Sequence, residues 1–432
     1  MSPAQLYRAS VADTPDNPFE GGALRYERDL SLVVSDGVIR FRGSFADAER
    51  AYPDAEVVDL RDGILLPGLV DTHVHFPQLR SIAGLGKPLL DWLAECTLPE
   101  EARFADVEYA RAVAPEFLRA LASAGTTSAL VFGSHFAPAM GAFFAAADES
   151  RLRITSGLVV GDRMLRDELH TTPERAREEA AKLIDAWHGH GRLRYAVTPR
   201  FSLSASDELL AACADTMASR PDLLFTSHLN ENPREIETVA ELFPERTSYL
   251  DTYDRHGLVG RRSVFAHSVH TTDAELGRLA ETGATAAHCP TSNAALGSGL
   301  FPLRRHVDAG VRVALGSDVG AGTGFSLFKE GLQAYFMQML RPGDGAQLSP
   351  AHMLHLATSA GAQALGLAGV GHLDVGMQFD AVHVSPPAGS TYDVVLRCAE
   401  SADDALARTF ALATTGDVAA TWVGGDLVHA RA

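Results

Sequence analysis

Two histidines one residue apart, His73 and His75, close the stretch LPGLVDTHVH from Leu66 to His75. The apolar residues Leu65, Leu66, Leu69 and Val70 ahead of them read as a buried strand, with Pro67 and Gly68 near its start. In a strand, residues i and i+2 point to one face, so two imidazoles can leave such a strand end side by side and hold one metal ion. A chain with 17 histidines can also contain an HxH pair by chance. The rest of the chain separates these readings: further apolar runs finish on His228, His267 and His288, and Asp318 follows the last run. A single strand-end histidine is more often a satisfied polar residue; this many together point to a metal site. Nitrogen and carboxylate donors with few thiolates suit Zn2+, with Fe2+ the competitor. A metal with an open position lowers the pKa of water towards ~7 and supplies hydroxide at neutral pH. Glu231, three residues after His228 in HLNEN, can carry protons between that water and a substrate. The same position, just ahead of Pro233 and Ile236, equally suits an acidic residue at a helix start.

These side chains need a scaffold that brings strand ends together. Apolar strand candidates fall at 66–73, 126–132, 154–160, 194–199, 223–229, 263–267, 284–288 and 312–317. Between them lie helical stripes: Ala110, Val113, Ala114, Phe117, Leu118 and Leu121; Ala180, Leu183, Ile184 and Trp187; Leu209, Leu210, Cys213 and Met217; Ile236, Val239, Ala240 and Phe243. Eight strands alternating with helices predict an α/β fold, a (β/α)8 TIM-like barrel, whose chemistry sits at the C-terminal strand ends. A doubly wound open sheet is the alternative, but no Gly-rich phosphate loop follows the first strand. Both chain ends are β-rich. LSLVVSDGVIRFRG reads as a hairpin turning at Ser35-Asp36-Gly37, and QFDAVHVSPP, YDVVLRC and TWVGGDLVHA read as strands. The expected organisation is a small composite β-sandwich from residues 1–66 plus 375–432, attached to a barrel of residues 67–374.

A formal net charge of -18 argues against a nucleic-acid or anionic-membrane partner. No apolar run approaches the ~18 residues of a membrane span, and the N-terminus lacks a basic region followed by an apolar core. Cys96, Cys213, Cys289 and Cys398 lie far apart without a CxxC pair, which reads as reduced thiols of a cytoplasmic protein.

LPGLVDTHVH, together with the later strand-end His, His and Asp, resembles the amidohydrolase superfamily, whose barrels carry a composite β-sandwich built from both termini. The blocks HFPQ, LLDWLAECTLPEE, TPRFSLSAS, SHLNEN, AHCPTSNAALGSG and GSDVGAG, from about residue 66 to 330, are similar to the guanine deaminase family within it. FDAVHV and VGGDLV extend the likeness towards the C-terminus. The resemblance implies hydrolytic deamination of guanine to xanthine and ammonia, water being the second substrate. It implies that His73, His75, His228 and Asp318 ligate the metal and that Asp318 also accepts a proton from the attacking water. Glu231 would be the proton shuttle, and His267 would hold the water or polarise the leaving group. Gln78, Arg200 and Phe201 match the positions that grip the purine. One ion per chain follows from RYAVTPR, which carries no lysine where the binuclear branch has a bridging one. A homodimer is implied as well. Two positions depart from the pattern, His270 in AHSVH and Ser317 before Asp318.

Other readings compete with these. The same chemistry on a pterin, 8-oxoguanine or a triazine is the nearest, and a metal-bearing binding protein without turnover is the most distant. Arg200 carries donors only, so it suits the O6 acceptor of guanine and not the amino donor of adenine; alternatively it closes an ion pair under the barrel rim. Asp71 is a partner for a ligand imidazole or a buried turn carboxylate. His135 and His288 are candidates for the pocket lining, Trp92 belongs to the core or stacks on a ligand, and Ser292 and Asn293 brace the loop after the seventh strand.

Overall fold

The computed structural model describes residues 4–431, which build two sheets. Eight parallel strands follow one another in sequence order around the larger one: β1 (Leu69–His75), β2 (Thr126–Phe132), β3 (Arg153–Gly157), β4 (Arg194–Pro199), β5 (Leu224–Leu229), β6 (Ser263–His267), β7 (Thr285–His288) and β8 (Arg312–Leu315). The ring closes just past β8, where the Asp318 N–H donates to the His73 carbonyl at 2.8 Å and the His75 N–H to the Val319 carbonyl at 2.9 Å. The four apolar stripes lie on helices Val107–Ser123, Pro173–Trp187, Asp207–Ser219 and Pro233–Leu242, each turned towards the barrel core. The architecture is the expected (β/α)8 barrel.

Two of the apolar runs are divided differently from the sequence reading. Leu65 and Leu66 end the strand Glu56–Pro67 of the smaller sheet, and β1 begins only at Leu69. The break falls at Gly68, whose N–H goes to the Asp380 carbonyl while that of Leu69 goes to the Gly125 carbonyl, and a Cβ at Gly68 would lie 2.2 Å from the Thr127 hydroxyl. The run 154–160 stops at Gly157 and resumes as Val159–Val160, which pairs with β4 alone. At Gly157 a Cβ would sit 1.8 Å from the Ala196 carbonyl oxygen, so the backbones there approach too closely for any side chain.

One residue from each of seven strands (Val70, Leu130, Ala196, Leu224, Val264, Ala287 and Ala314) joins a buried apolar cluster with Ala362, Ala364 and Leu365. This layer fills the barrel, leaving polar side chains to gather at the C-terminal strand ends.

The smaller sheet draws strands from both ends of the chain. In spatial order they are Asp426–Ala430, Val418–Val423, Ala381–Val384, Glu56–Pro67, Gln5–Asp13, Arg25–Ser35 and Val38–Ser44. The hairpin turns at Asp36 and Gly37, both at positive φ. YDVVLRC is not a strand. Thr391–Arg397 is helical, because the Ser390 hydroxyl accepts the Asp393 N–H as an N-cap and Tyr392 donates to Thr409 on the neighbouring helix Ala402–Leu412. The β-branched pair Val394 and Val395 favours a strand locally, and the cap and the tertiary contact override that preference. Arg153 at the start of β3 holds Asp380 with two hydrogen bonds of 2.6 and 2.9 Å, tying barrel to sheet. The four cysteines are free thiols. Among the described residues no helix is long and apolar enough to cross a membrane.

Candidate active site

The strand ends of β1 and β5 and the segment after β8 bring His73, His75, His228 and Asp318 together, with one ligand-type atom from each all within 4.8 Å of one another. The Nε2 atoms of His73 and His75 are 3.1 Å apart, and each lies 3.1 Å from Asp318 Oδ1. All four residues are buried. Burial lowers the three imidazoles, His75 to about 4 and His228 well below its ordinary value, so they are neutral with lone pairs to donate. Burial works against the Asp318 charge, yet the surrounding imidazoles hold its carboxyl well below the usual range. His228 Nδ1–H donates to the Arg200 carbonyl at 2.6 Å, which leaves the Nε2 lone pair facing the cluster. Three neutral nitrogens and one carboxylate, buried and converging, fit a divalent cation.

Backbone conformation aims these groups. Asn230, His267 and Asp318 adopt φ values of 50°, 70° and 48°, the left-handed region that non-glycine residues occupy at a cost of ~1–3 kcal/mol each. Asp71 fixes the junction between β1 and the segment after β8. Its carboxylate accepts the His73 N–H at 3.1 Å, the Ser317 N–H at 3.0 Å and the Ser317 hydroxyl at 2.5 Å. It is thus a buried turn carboxylate and not the partner of an imidazole; His73 Nδ1 has no hydrogen-bond partner.

Glu231 is buried beside this cluster. Its Oε1 accepts the Ser298 hydroxyl at 2.9 Å, and its Oε2 lies 3.5 Å from His267 Nε2. Burial, and next the charge of Asp318, raises its carboxyl to about 8. The helix that follows is capped by Asn232 and Glu235, so the Glu231 side chain has no capping duty. Glu235 instead accepts the Glu231 N–H at 3.1 Å and anchors that turn. His267 Nδ1 hydrogen-bonds Asn293 Oδ1 at 3.0 Å, which presents Nε2 to Glu231 and Asp318. Asn293 also braces its loop, as its carbonyl accepts the Ser298 N–H at 2.9 Å.

A cavity opens onto these groups and is also lined by Gln78, Trp92, Leu93, Arg200, Phe201 and Leu296. Trp92 is both core and wall. Arg200 forms the ion pair that was one of its two expected roles, its Nη1 donating to both oxygens of buried Glu101 at 2.6 and 2.8 Å, and it also lines the cavity. The sequence does not distinguish Glu101, since LPEE offers two adjacent acids and nothing to say which is buried. A strand-end arginine without a nearby acid was the available signal, since a buried guanidinium needs a counterion. His135 reaches Glu101, with Nε2 3.3 Å from Oε2, and stays off the cavity wall.

His288 does not join the site. Its ring stacks on Phe301 at 4.4 Å, and burial pushes it down to about 3. His270 Nε2 hydrogen-bonds the Ser298 carbonyl oxygen at 2.7 Å, behind Glu231.

A parallel barrel with three imidazoles and a carboxylate converging at its C-terminal rim defines the class of metal-dependent barrel hydrolases. The chain belongs to the amidohydrolase family, whose model matches residues 64–428. It is 60% identical to a probable guanine deaminase of Deinococcus radiodurans, over 99% of each chain. The solved structure of Escherichia coli guanine deaminase superposes with a TM-score of 0.96 at 37% identity, over 99% of this chain and 100% of that one. A guanine deaminase from C. acetobutylicum with guanine bound in its active site superposes with a TM-score of 0.91 at 27% identity, over 99% of this chain and 100% of that one.

Proposed function

We propose that this chain is a guanine deaminase, converting guanine and water to xanthine and ammonia. The observation that supports the reading is one cavity lined by Gln78, Arg200 and Phe201 as well as by Glu231, His267 and Asp318. His73, His75, His228 and Asp318 would hold one divalent ion, and their donor chemistry favours zinc over Fe2+. When bound, such an ion supplies a water acidified towards about pKa 7.

The chain's own groups account for the rest. Phe201 and the apolar wall of Trp92 and Leu93 bury the purine ring and exclude bulk water. Arg200 donates to O6. Asp318 takes a proton from the water that attacks C2, and Glu231, raised by burial, delivers one to N3. His267 orients the attacking water. Asp318 passes its proton to the amino nitrogen, the C2–N bond breaks and ammonia leaves, while the proton of the new C2 hydroxyl returns to Glu231, leaving the carbonyl of xanthine and both carboxyls as they began.

The test is ammonia release from guanine, adenine, 8-oxoguanine, a pterin and a triazine by metal-replete protein. Guanine should be the preferred substrate; adenine, which has no amino group at C2, should be inert. Preference for a pterin or triazine would replace the assignment while leaving the hydrolase. Arg200→Lys keeps a cation beside Glu101 but loses the planar fork. With a hydrogen bond to a charged group contributing about 1.5–3 kcal/mol, kcat/KM for guanine should fall roughly ten- to a hundredfold at unchanged metal content. Ordinary kinetics in that variant would mean that Arg200 serves the ion pair alone.

The reading includes a homodimer. Supporting it, Phe336, Met339 and Leu340 expose 46%, 62% and 68% of their surface at the end of helix Leu327–Met339. Sedimentation should give twice the chain mass, and Phe336→Asp with Leu340→Asp should give the monomer; a monomeric parent protein rejects it. The free thiols suit a reducing cytoplasm.

A further inference from the structure

Glu101 stands where three strand-end loops meet. It is 2% exposed and lies on the short helix Leu98–Ala102. Besides Arg200 it accepts Gln78 Nε2–H at 2.9 Å, and His135 stands 3.3 Å away on its other oxygen. Burial would raise this carboxyl, but the Arg200 guanidinium and His135 hold it well below the usual range. Burial also lowers His135, so the imidazole adds no lasting charge. The cluster therefore sums to zero, one guanidinium against one carboxylate.

That pairing decides what Arg200 and Gln78 can offer a ligand. Nη1 directs its hydrogens to Glu101, which leaves the Nε and Nη2 edge as donors. Gln78 is locked in one orientation, with Nε2–H on Glu101 and Oε1 accepting the Gly320 N–H at 3.2 Å. It retains one N–H and one lone pair. The binding edge is thus rich in donors yet uncharged, the complement of a neutral lactam with its carbonyl oxygen and ring N–H. Without Glu101 the same edge would carry a buried, uncompensated cation, which attracts anions. The segment that carries Glu101 also carries Trp92 and Leu93 on the cavity wall, so one stretch of chain supplies both the apolar cover and the counterion.

We infer that Glu101 is a specificity-determining residue: by neutralising Arg200 and fixing Gln78, it makes the cavity select neutral lactam heterocycles over anionic ones. The inference rests on the reading of Arg200 as a purine-holding residue, and its test uses binding, so that it does not depend on turnover. Calorimetry on the metal-replete protein would measure Kd for hypoxanthine, a neutral purine lactam, and for urate, an anion at neutral pH. In Glu101→Gln the ratio of the hypoxanthine Kd to the urate Kd should rise by about tenfold or more, as expected when one buried charge loses its partner. In the double variant Glu101→Gln with Arg200→Gln the cavity is again neutral, and the ratio should return to within about threefold of the parent value. A ratio unchanged in Glu101→Gln, with both ligands weakened alike, would make Glu101 a packing residue. A double variant whose ratio moves tenfold from the parent overturns the inference even where the single variant does not fold. Failure of the parent protein to deaminate guanine would reject the proposed activity and leave this ratio readable.

Discussion

Asp318→Asn protein is expected to emerge from purification without its divalent ion and with ammonia release reduced by more than roughly 10³-fold, the order of effect when several kcal/mol of transition-state stabilisation is removed. Asparagine matches the shape of the carboxylate and withdraws its charge. His73, His75 and His228 are buried and neutral, so Asp318 carries the only negative charge in the four-residue set. Removing that charge leaves the ion less compensated in a buried site, which weakens its hold there. The parent protein should contain about one zinc or iron per chain. Chelation of the parent should lower its melting temperature by roughly 3 °C, because a ligand held at a hundred times its Kd contributes about 2.7 kcal/mol. The melting temperature of Asp318→Asn should not respond to chelator at all. A parent that keeps full activity after exhaustive chelation, or an Asp318→Asn protein with normal metal and normal rate, would falsify the metal assignment.

Strand periodicity places some of the residues legible in the sequence but not His267, whose parity is opposite to that of Val264 and whose backbone is left-handed. Leu224, Val264, Ala287 and Ala314 mark the barrel-interior parity of their strands. His228 has the parity of Leu224 and points inward. His288 has the opposite parity to Ala287 and packs outside, on Phe301. Both are strand-end histidines after an apolar run, and only the register of each strand tells them apart. In β1 the pairing shifts register between Asp71 and Val74, which no periodicity could announce and which bears on how His73 and His75 are aimed. Glu101 was hidden for another reason. Its burial depends on a segment without regular period, broken by a single π turn at Leu93–Thr97, that folds back over the barrel mouth to meet Arg200 some hundred residues later. Local pattern places residues on elements; it cannot report which loop covers which end. Asn293 and Ser298 lie in a quoted block, but their contacts with His267 and Glu231 arise only when the ends of β5, β6 and β7 are side by side.

Glu231→Gln should leave metal content and melting temperature near the parent values while kcat falls by roughly 10²–10⁴, the span of a general acid–base group. Glutamine fills the same volume, and its carbonyl oxygen can still accept the Ser298 hydroxyl that now meets Oε1 at 2.9 Å. The Glu231 backbone remains pinned by Glu235, and the helix cap belongs to Asn232 and Glu235. Nothing that holds the fold is removed; only the exchangeable proton is. In the parent, burial and the nearby Asp318 charge raise this carboxyl to about 8, a direction that suits a group giving a proton to a ring nitrogen and then regaining it. An amide can do neither. The competing role, an acidic residue favoured at a helix start, predicts the opposite pattern: kcat within a few-fold of the parent and a small loss of stability from the weakened helix terminus. Because one substitution moves rate without stability under the first role and stability without rate under the second, the two measurements together decide whether Glu231 handles protons or merely begins a helix.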